Sequence, residues 1–167
     1  MRRAALIALI TVVVVLQLSL LPGLRPLGVV PNLAVVVMVL AALNVVTSEA
    51  LVAAAASGLV LDLASGANFG LWTGVFMLIT LVVGVLRRAG IELDGAVVAP
   101  GLVAAATLVI TLVVWLALAP KGVHWTFGGA AGQLVVELVI NLVLTIALAP
   151  LVRWMLGGTR AQTGFGG

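Results

Sequence analysis

Long apolar runs alternate with short polar breaks along this chain. Ala4–Leu21, Val29–Val46, Glu49–Ala64, Phe69–Leu86, Ala96–Ala119 and Ala130–Met155 each carry little charge. A run of about 20 apolar residues is what a helix needs to cross a hydrocarbon core of about 30 Å. Between the runs, Pro, Gly and polar residues mark loops at 20–28, 65–68, 89–95 and 120–129, Arg87-Arg88 stops the fourth span, and Thr47-Ser48-Glu49 makes a tight connection. Valine is abundant, which in water favours strands. The runs show no clean alternation, however, and exceed the roughly 9–11 residues of a membrane barrel strand. The pattern predicts an all-α polytopic membrane protein with six transmembrane helices.

Local signals refine the elements. Pro31 is expected in the first turn of the second span, where a missing amide proton costs little. Ser48 is expected to cap the third span, with Glu49 in its first turn. The third span is short and Ala-rich, the signature of an interior helix that neighbours approach closely. Pro100 falls in the first turns of span 5, and Pro150 is expected to bend or end span 6. Trp125 and Phe127 have the character of interface anchors. Residues 1–156 form the six-helix domain on this reading, and 157–167 a short disordered tail.

Composition supports a bilayer setting. Of 167 residues, 64% are hydrophobic and 8% charged, and the mean hydropathy is +1.40. Soluble domains carry about 25% charged residues. There is no Cys, so disulfides and thiolate ligands are excluded, and the single His124 in a loop argues against a zinc site. The net charge of +3 is not a nucleic-acid footprint, because its basic residues are scattered at span ends. Arg2-Arg3 ahead of an apolar run also has the look of a signal peptide. The run exceeds an h-region and lacks a small-x-small cleavage site, which favours an uncleaved first helix.

The basic residues also set an orientation. With the N-terminus inside, Arg2, Arg3, Arg87, Arg88, Arg153 and Arg160 are cytoplasmic, while Arg25 and Lys121 are outside. Six spans return the C-terminus to the inside. Gln17, Asn32, Asp62, Asn68, Gln133 and Glu137 then all fall toward the outer side, with Asn141 one turn below Glu137. We therefore expect one polar cluster in the outer half of the bundle. An intramembrane acid costs about 2.5–3.5 kcal/mol on insertion scales, so each needs a partner or a role. Two readings stand for these residues: a ligand, lipid or partner site, or structural ties, with Asp62 capping span 4 and Glu137 bonded to a neighbouring helix. Gly58, Gly66 and Gly70 read as helix-packing positions. No nucleophile–base pair, phosphate loop or dinucleotide fingerprint is present, so neither catalysis nor a cofactor is expected.

Three stretches carry a family resemblance. They are Leu20-Leu21-Pro22; Gly28-Val-Val-Pro31-Asn32-Leu33; and Gly58-Leu-Val-Leu-Asp62-Leu-Ala-Ser-Gly66-Ala-Asn-Phe-Gly70-Leu71. Together with the last helix, Gln133 to Pro150 around Asn141, they resemble the bacterial rod shape-determining MreD family over nearly the whole chain. Asn32 stands where that family usually has Asp, and Asn68 where it often has Pro. The resemblance implies a non-enzymatic plasma-membrane scaffold or regulator of cell-wall elongation, which maintains rod shape beside an MreC-like bitopic partner. It further implies a RodA-like polymerase, a class B transpeptidase and an MreB-like filament as associates. It also implies likeness to the six-helix substrate-binding component of energy-coupling-factor transporters. That leaves a small-molecule-binding subunit of a vitamin-type uptake transporter as the alternative.

Overall fold

A computed structural model describes residues 2–19, 23, 29–65, 70–93, 97–118 and 127–156. They form six helices: α1 Arg2–Ser19, α2 Leu33–Asn44, α3 Thr47–Ser65, α4 Leu71–Arg88, α5 Val98–Leu118 and α6 Phe127–Leu156. The fold is all-α. Among the described residues α3, α4, α5 and α6 are long and apolar enough to cross a membrane, while the apolar lengths Ala4–Ser19 and Leu33–Asn44 are shorter. The chain is a multi-helix protein with the character of a polytopic membrane protein. Residues 157–167, Gly66, Asn68, His124 and Trp125 lie outside the described residues.

The helix at the centre is α2. It packs against α1, α3, α4, α5 and α6. Every residue from Ala34 to Ala42 is buried. A helix apolar on all sides has no face for water and belongs in an interior. The other helices surround it: α3 and α4 form one antiparallel hairpin, α5 and α6 another, and α1 packs on both α3 and α6. Between the hairpins, Leu78, Ile79, Val82 and Val83 of α4 face Leu102, Ala105, Ala106 and Val109 of α5 across an apolar groove of about 110 Å³. The outward faces carry large apolar side chains, such as Val52 at 72% exposure, Leu116 at 73% and Trp154 at 81%. Such a surface is at home in lipid rather than water.

Three local expectations are corrected. The second span begins as helix only at Leu33, so Pro31 lies before it and not in its first turn. Asn32 is the N-cap instead: its side chain accepts from the Val35 amide, as a cap residue should. Ser48 does not cap α3 either. That helix starts at Thr47, which places Ser48 inside its first turn. The third concerns Pro150, which does not end α6: it lies inside the helix, which runs on to Leu156.

Candidate functional site

The polar residues predicted to cluster fall into two sets. The first joins α3 to α4. The N-cap position of α4 is Gly70, with φ 93°, and it has no side chain to cap the helix. Asp62 of α3 supplies the missing acceptor. Its Oδ1 accepts from the Trp72 amide at 2.8 Å, and its Oδ2 accepts from the Thr73 amide at 3.1 Å and from the Thr73 hydroxyl at 2.7 Å. An N-cap acceptor normally serves the second and third amides of its own helix. Here the same amides are served from a neighbouring helix, by a carboxylate that is 1% exposed. The negative charge also lies at the positive end of the α4 dipole.

Gly58 makes that contact possible. It lies one turn before Asp62, and a Cβ there would collide with the Thr73 Cα and come within 2.6 Å of the Thr73 nitrogen. Any side chain at 58 would therefore push the start of α4 away from Asp62. The hairpin is also tight at its other end, where a Cβ on Gly84 would meet the Thr47 methyl at 2.6 Å. Gly70 plays a different part from the one expected of it. A Cβ at this position would meet nothing within 4 Å, and the glycine serves the positive φ of the helix start.

The second set ties four helices around the start of α2. Gln17 of α1 donates from Nε2 to the Pro31 carbonyl at 3.2 Å, and its Oε1 accepts from the Ala34 amide at 3.3 Å. The Asn32 amide donates to Asn141 Oδ1 of α6 at 3.2 Å. Asn141 Nδ2 donates to the Thr107 hydroxyl of α5 at 3.0 Å. One turn further along α5, the Thr111 hydroxyl donates to Glu137 Oε2 at 3.2 Å. Asn141 is wholly buried, and both ends of its amide are engaged. Gln133, one turn before Glu137, is exposed and stands outside this chain of bonds.

The single outer cluster is thus replaced by two. The hydrogen bonds described for Asp62 run from α4, and that of Glu137 comes from α5. The hairpins α3–α4 and α5–α6 reach each other chiefly through α2. No described hydrogen bond joins the two acids, which were expected to share one cluster.

Sequence reasoning missed Arg87. Its Nη1 donates to the Val45 carbonyl at 2.9 Å, and its Nη2 to the Ala42 and Leu43 carbonyls, each at 2.9 Å. The guanidinium therefore closes the C-terminal end of α2, whose last carbonyls have no helical partners. A signal was present: α2 ends at Asn44-Val45-Val46 with neither a C-terminal Gly nor a basic residue of its own.

Comparison with protein-family models, curated proteins and solved structures gives no match for this chain. The geometry therefore has to speak for itself. What it does chemically is hold helices together: side-chain amides, one guanidinium and one carboxylate satisfy backbone groups at the ends of α2 and α4, and threonine hydroxyls bond to those side chains. Among the described residues no group of His, Cys, Asp and Glu is arranged to hold a metal ion.

Proposed function

We propose that this chain is a non-enzymatic membrane scaffold or regulator of the cell-wall elongation machinery, as its resemblance to the MreD family implies. The observation supporting a scaffold is the use of its intramembrane polar groups. Gln17, Asn32, Asp62 and Asn141 bond to other helices or cap helix ends. Neither the groove between α4 and α5 nor the one between α1 and α3, walled by Leu6, Ile10 and Val52, is lined by Asp62 or Glu137. A ligand-binding subunit would turn such groups toward a cavity. Here they tie helices to one another, and on this reading the outer apolar surface meets the partner.

In this reading the chain crosses the plasma membrane six times, with both termini in the cytoplasm. The short α2 is compatible with a crossing. Twelve helical residues rise about 18 Å, and the non-helical Val29–Asn32 adds up to about 13 Å, close to the core thickness. Cysteine labelling tests the orientation: Lys121→Cys reacts from outside, and Arg88→Cys only after permeabilisation. The opposite pattern would sink the orientation.

The function is tested by purifying the tagged chain from its native host in mild detergent and identifying what accompanies it. An MreC-like single-span protein, with or without a RodA-like polymerase and its class B transpeptidase, is the expected result. An ATPase with a coupling subunit would overturn the scaffold reading and favour the vitamin-type uptake subunit.

A further inference from the structure

We propose that α1, α3 and α4 form a wall that fits a hydrocarbon layer about 24 Å thick, thinner than the usual core of about 30 Å, and so gathers short-chain phospholipids around the protein. The three helices are one continuous side of the bundle, because α3 packs on both α1 and α4. Their charged turns lie together at one end of it. Arg2-Arg3 opens α1, Glu49 lies in the first turn of α3, and Arg87-Arg88 closes α4. The first turns of α1 and α3 share a groove lined by Leu6, Ile10 and Val52, and a Cβ on Gly84, one turn before Arg88, would meet Thr47.

From that end each helix offers the same apolar length. Ala4–Ser19, Ala50–Ser65 and Leu71–Leu86 are 16 residues each. Such a length rises about 24 Å as helix, so the wall falls about 6 Å short of an ordinary core. Asp62 is the one charge within these lengths, and it is buried against the first amides of α4 rather than turned to lipid. The side chains that face outward along the wall, among them Val52, Leu63, Leu78 and Val85, are apolar. Hydrocarbon tails therefore suit this wall, and its height decides which tails.

Neither edge of the wall can be stretched. Arg87 is held at the end of α2 by the carbonyls of Ala42, Leu43 and Val45, so its guanidinium is not free to reach outward through a thicker layer. At the other edge α3 ends at Ser65 and α4 begins at Leu71, and lipid-exposed irregular backbone does not occur in hydrocarbon. Tilting a short helix lowers it further. By contrast, α5 reaches about 31 Å over 21 uncharged residues. A long helix tilts to fit a thin layer, whereas a short one obliges the layer to thin. The short wall thus sets the thickness. Such a fit requires that these helices cross the membrane, as in the six-span reading, and does not require the scaffold role.

Reconstitution of the full-length chain in phosphatidylcholines of rising chain length tests it, from dimyristoleoyl through dipalmitoleoyl and dioleoyl to dierucoyl. Thermal stability is expected to peak at dimyristoleoyl or dipalmitoleoyl and to fall through dioleoyl to dierucoyl. Lipid competition at the protein surface, read by quenching of its tryptophans with brominated lipids, should favour dimyristoleoyl over dioleoyl about threefold. A peak at dioleoyl or longer chains overturns the proposal. So does a flat response, the result expected where a second copy covers the wall. Ala64→Cys and Arg88→Cys, both at exposed positions, separate this from the crossing itself. Labelling of the two from opposite sides, with a peak at dioleoyl, overturns the thin fit alone. Labelling of both from one side overturns the crossing and the six-span reading with it.

Discussion

Two acids lie within apolar helices of this protein, and their surroundings differ. Asp62 is 1% exposed and takes three hydrogen bonds from the first turn of α4. Glu137 is half-buried and takes one, from the Thr111 hydroxyl. The first is a helix cap supplied from a different helix. The second lies at the edge of a network that Asn141 already completes. Burial of a charge is tolerable where several aligned donors replace water, and a helix N-terminus offers such donors ready-made. An intramembrane carboxylate is therefore not by itself a sign of a ligand site. What matters is whether its acceptors face backbone or open space.

The contrast can be broken by mutation, with the largest effect at Asp62. Asp62→Leu leaves two amides and a hydroxyl without their acceptor and should cost about 3 kcal/mol, read as a large fall in thermal stability in detergent and in folded yield. Asp62→Asn keeps one acceptor oxygen and should lose about half as much. A wild-type melting temperature for Asp62→Leu would refute the capping role. Gly58→Ala comes next, at about 2 kcal/mol, because its new methyl meets Thr73 backbone that cannot move without leaving Asp62. Gly74→Ala is its control: a Cβ there meets no other part of the fold within 4 Å, and stability should hold or rise slightly.

Asn141→Leu should cost about 1.5 kcal/mol, since interhelical hydrogen bonds in membranes contribute modestly and the Asn32 amide loses its partner. Pairing it with Thr107→Val sharpens the point. The double variant should lose less than the sum, because the two side chains share a bond. Arg87→Ala should cost about 1 kcal/mol by freeing the last carbonyls of α2, with Arg87→Lys in between, and unfolding in detergent would resolve both. Glu137→Gln should change stability by less than about 0.5 kcal/mol, because an amide keeps an acceptor for Thr111. A loss as large as that of Asp62→Leu would make the two acids equivalent and undo the comparison.

Much of the fold could be read from the chain. Apolar length located the helices, and the break after Arg88 falls where expected, whereas Thr47-Ser48-Glu49 is the first turn of α3 and the break lies just before it at Val45-Val46. Polar residues in apolar runs pointed to Gln17, Asn32, Asp62 and Asn141, each of which has a bonding role. Their partners were less legible. The sequence places Gly58 and Asp62 on one face of α3, but the reason they belong together is the start of α4, which arrives from across a turn. The reading of Asp62 as a cap for span 4 is the one its hydrogen bonds match, and Gly70-Leu-Trp-Thr, a helix start without a capping side chain, is why α4 takes it. Arg87 carried the same lesson, since a basic residue at a span end reads as an orientation signal whether or not its guanidinium is engaged.

Hydrophobic periodicity and length are properties of neighbouring residues, so the sequence alone determined an apolar, all-helical protein and which side chains inside it need hydrogen bonds. It also determined that bond formation with water is not available to most of them. Which helix occupies the centre, which acid caps which amides, and that Asp62 and Glu137 belong to different sets were decided only in the tertiary structure. Those pairings join residues up to 109 positions apart, and they depend on the angle and depth at which helices cross. Local pattern carries the demand for a partner, and only packing around α2 decides who meets it.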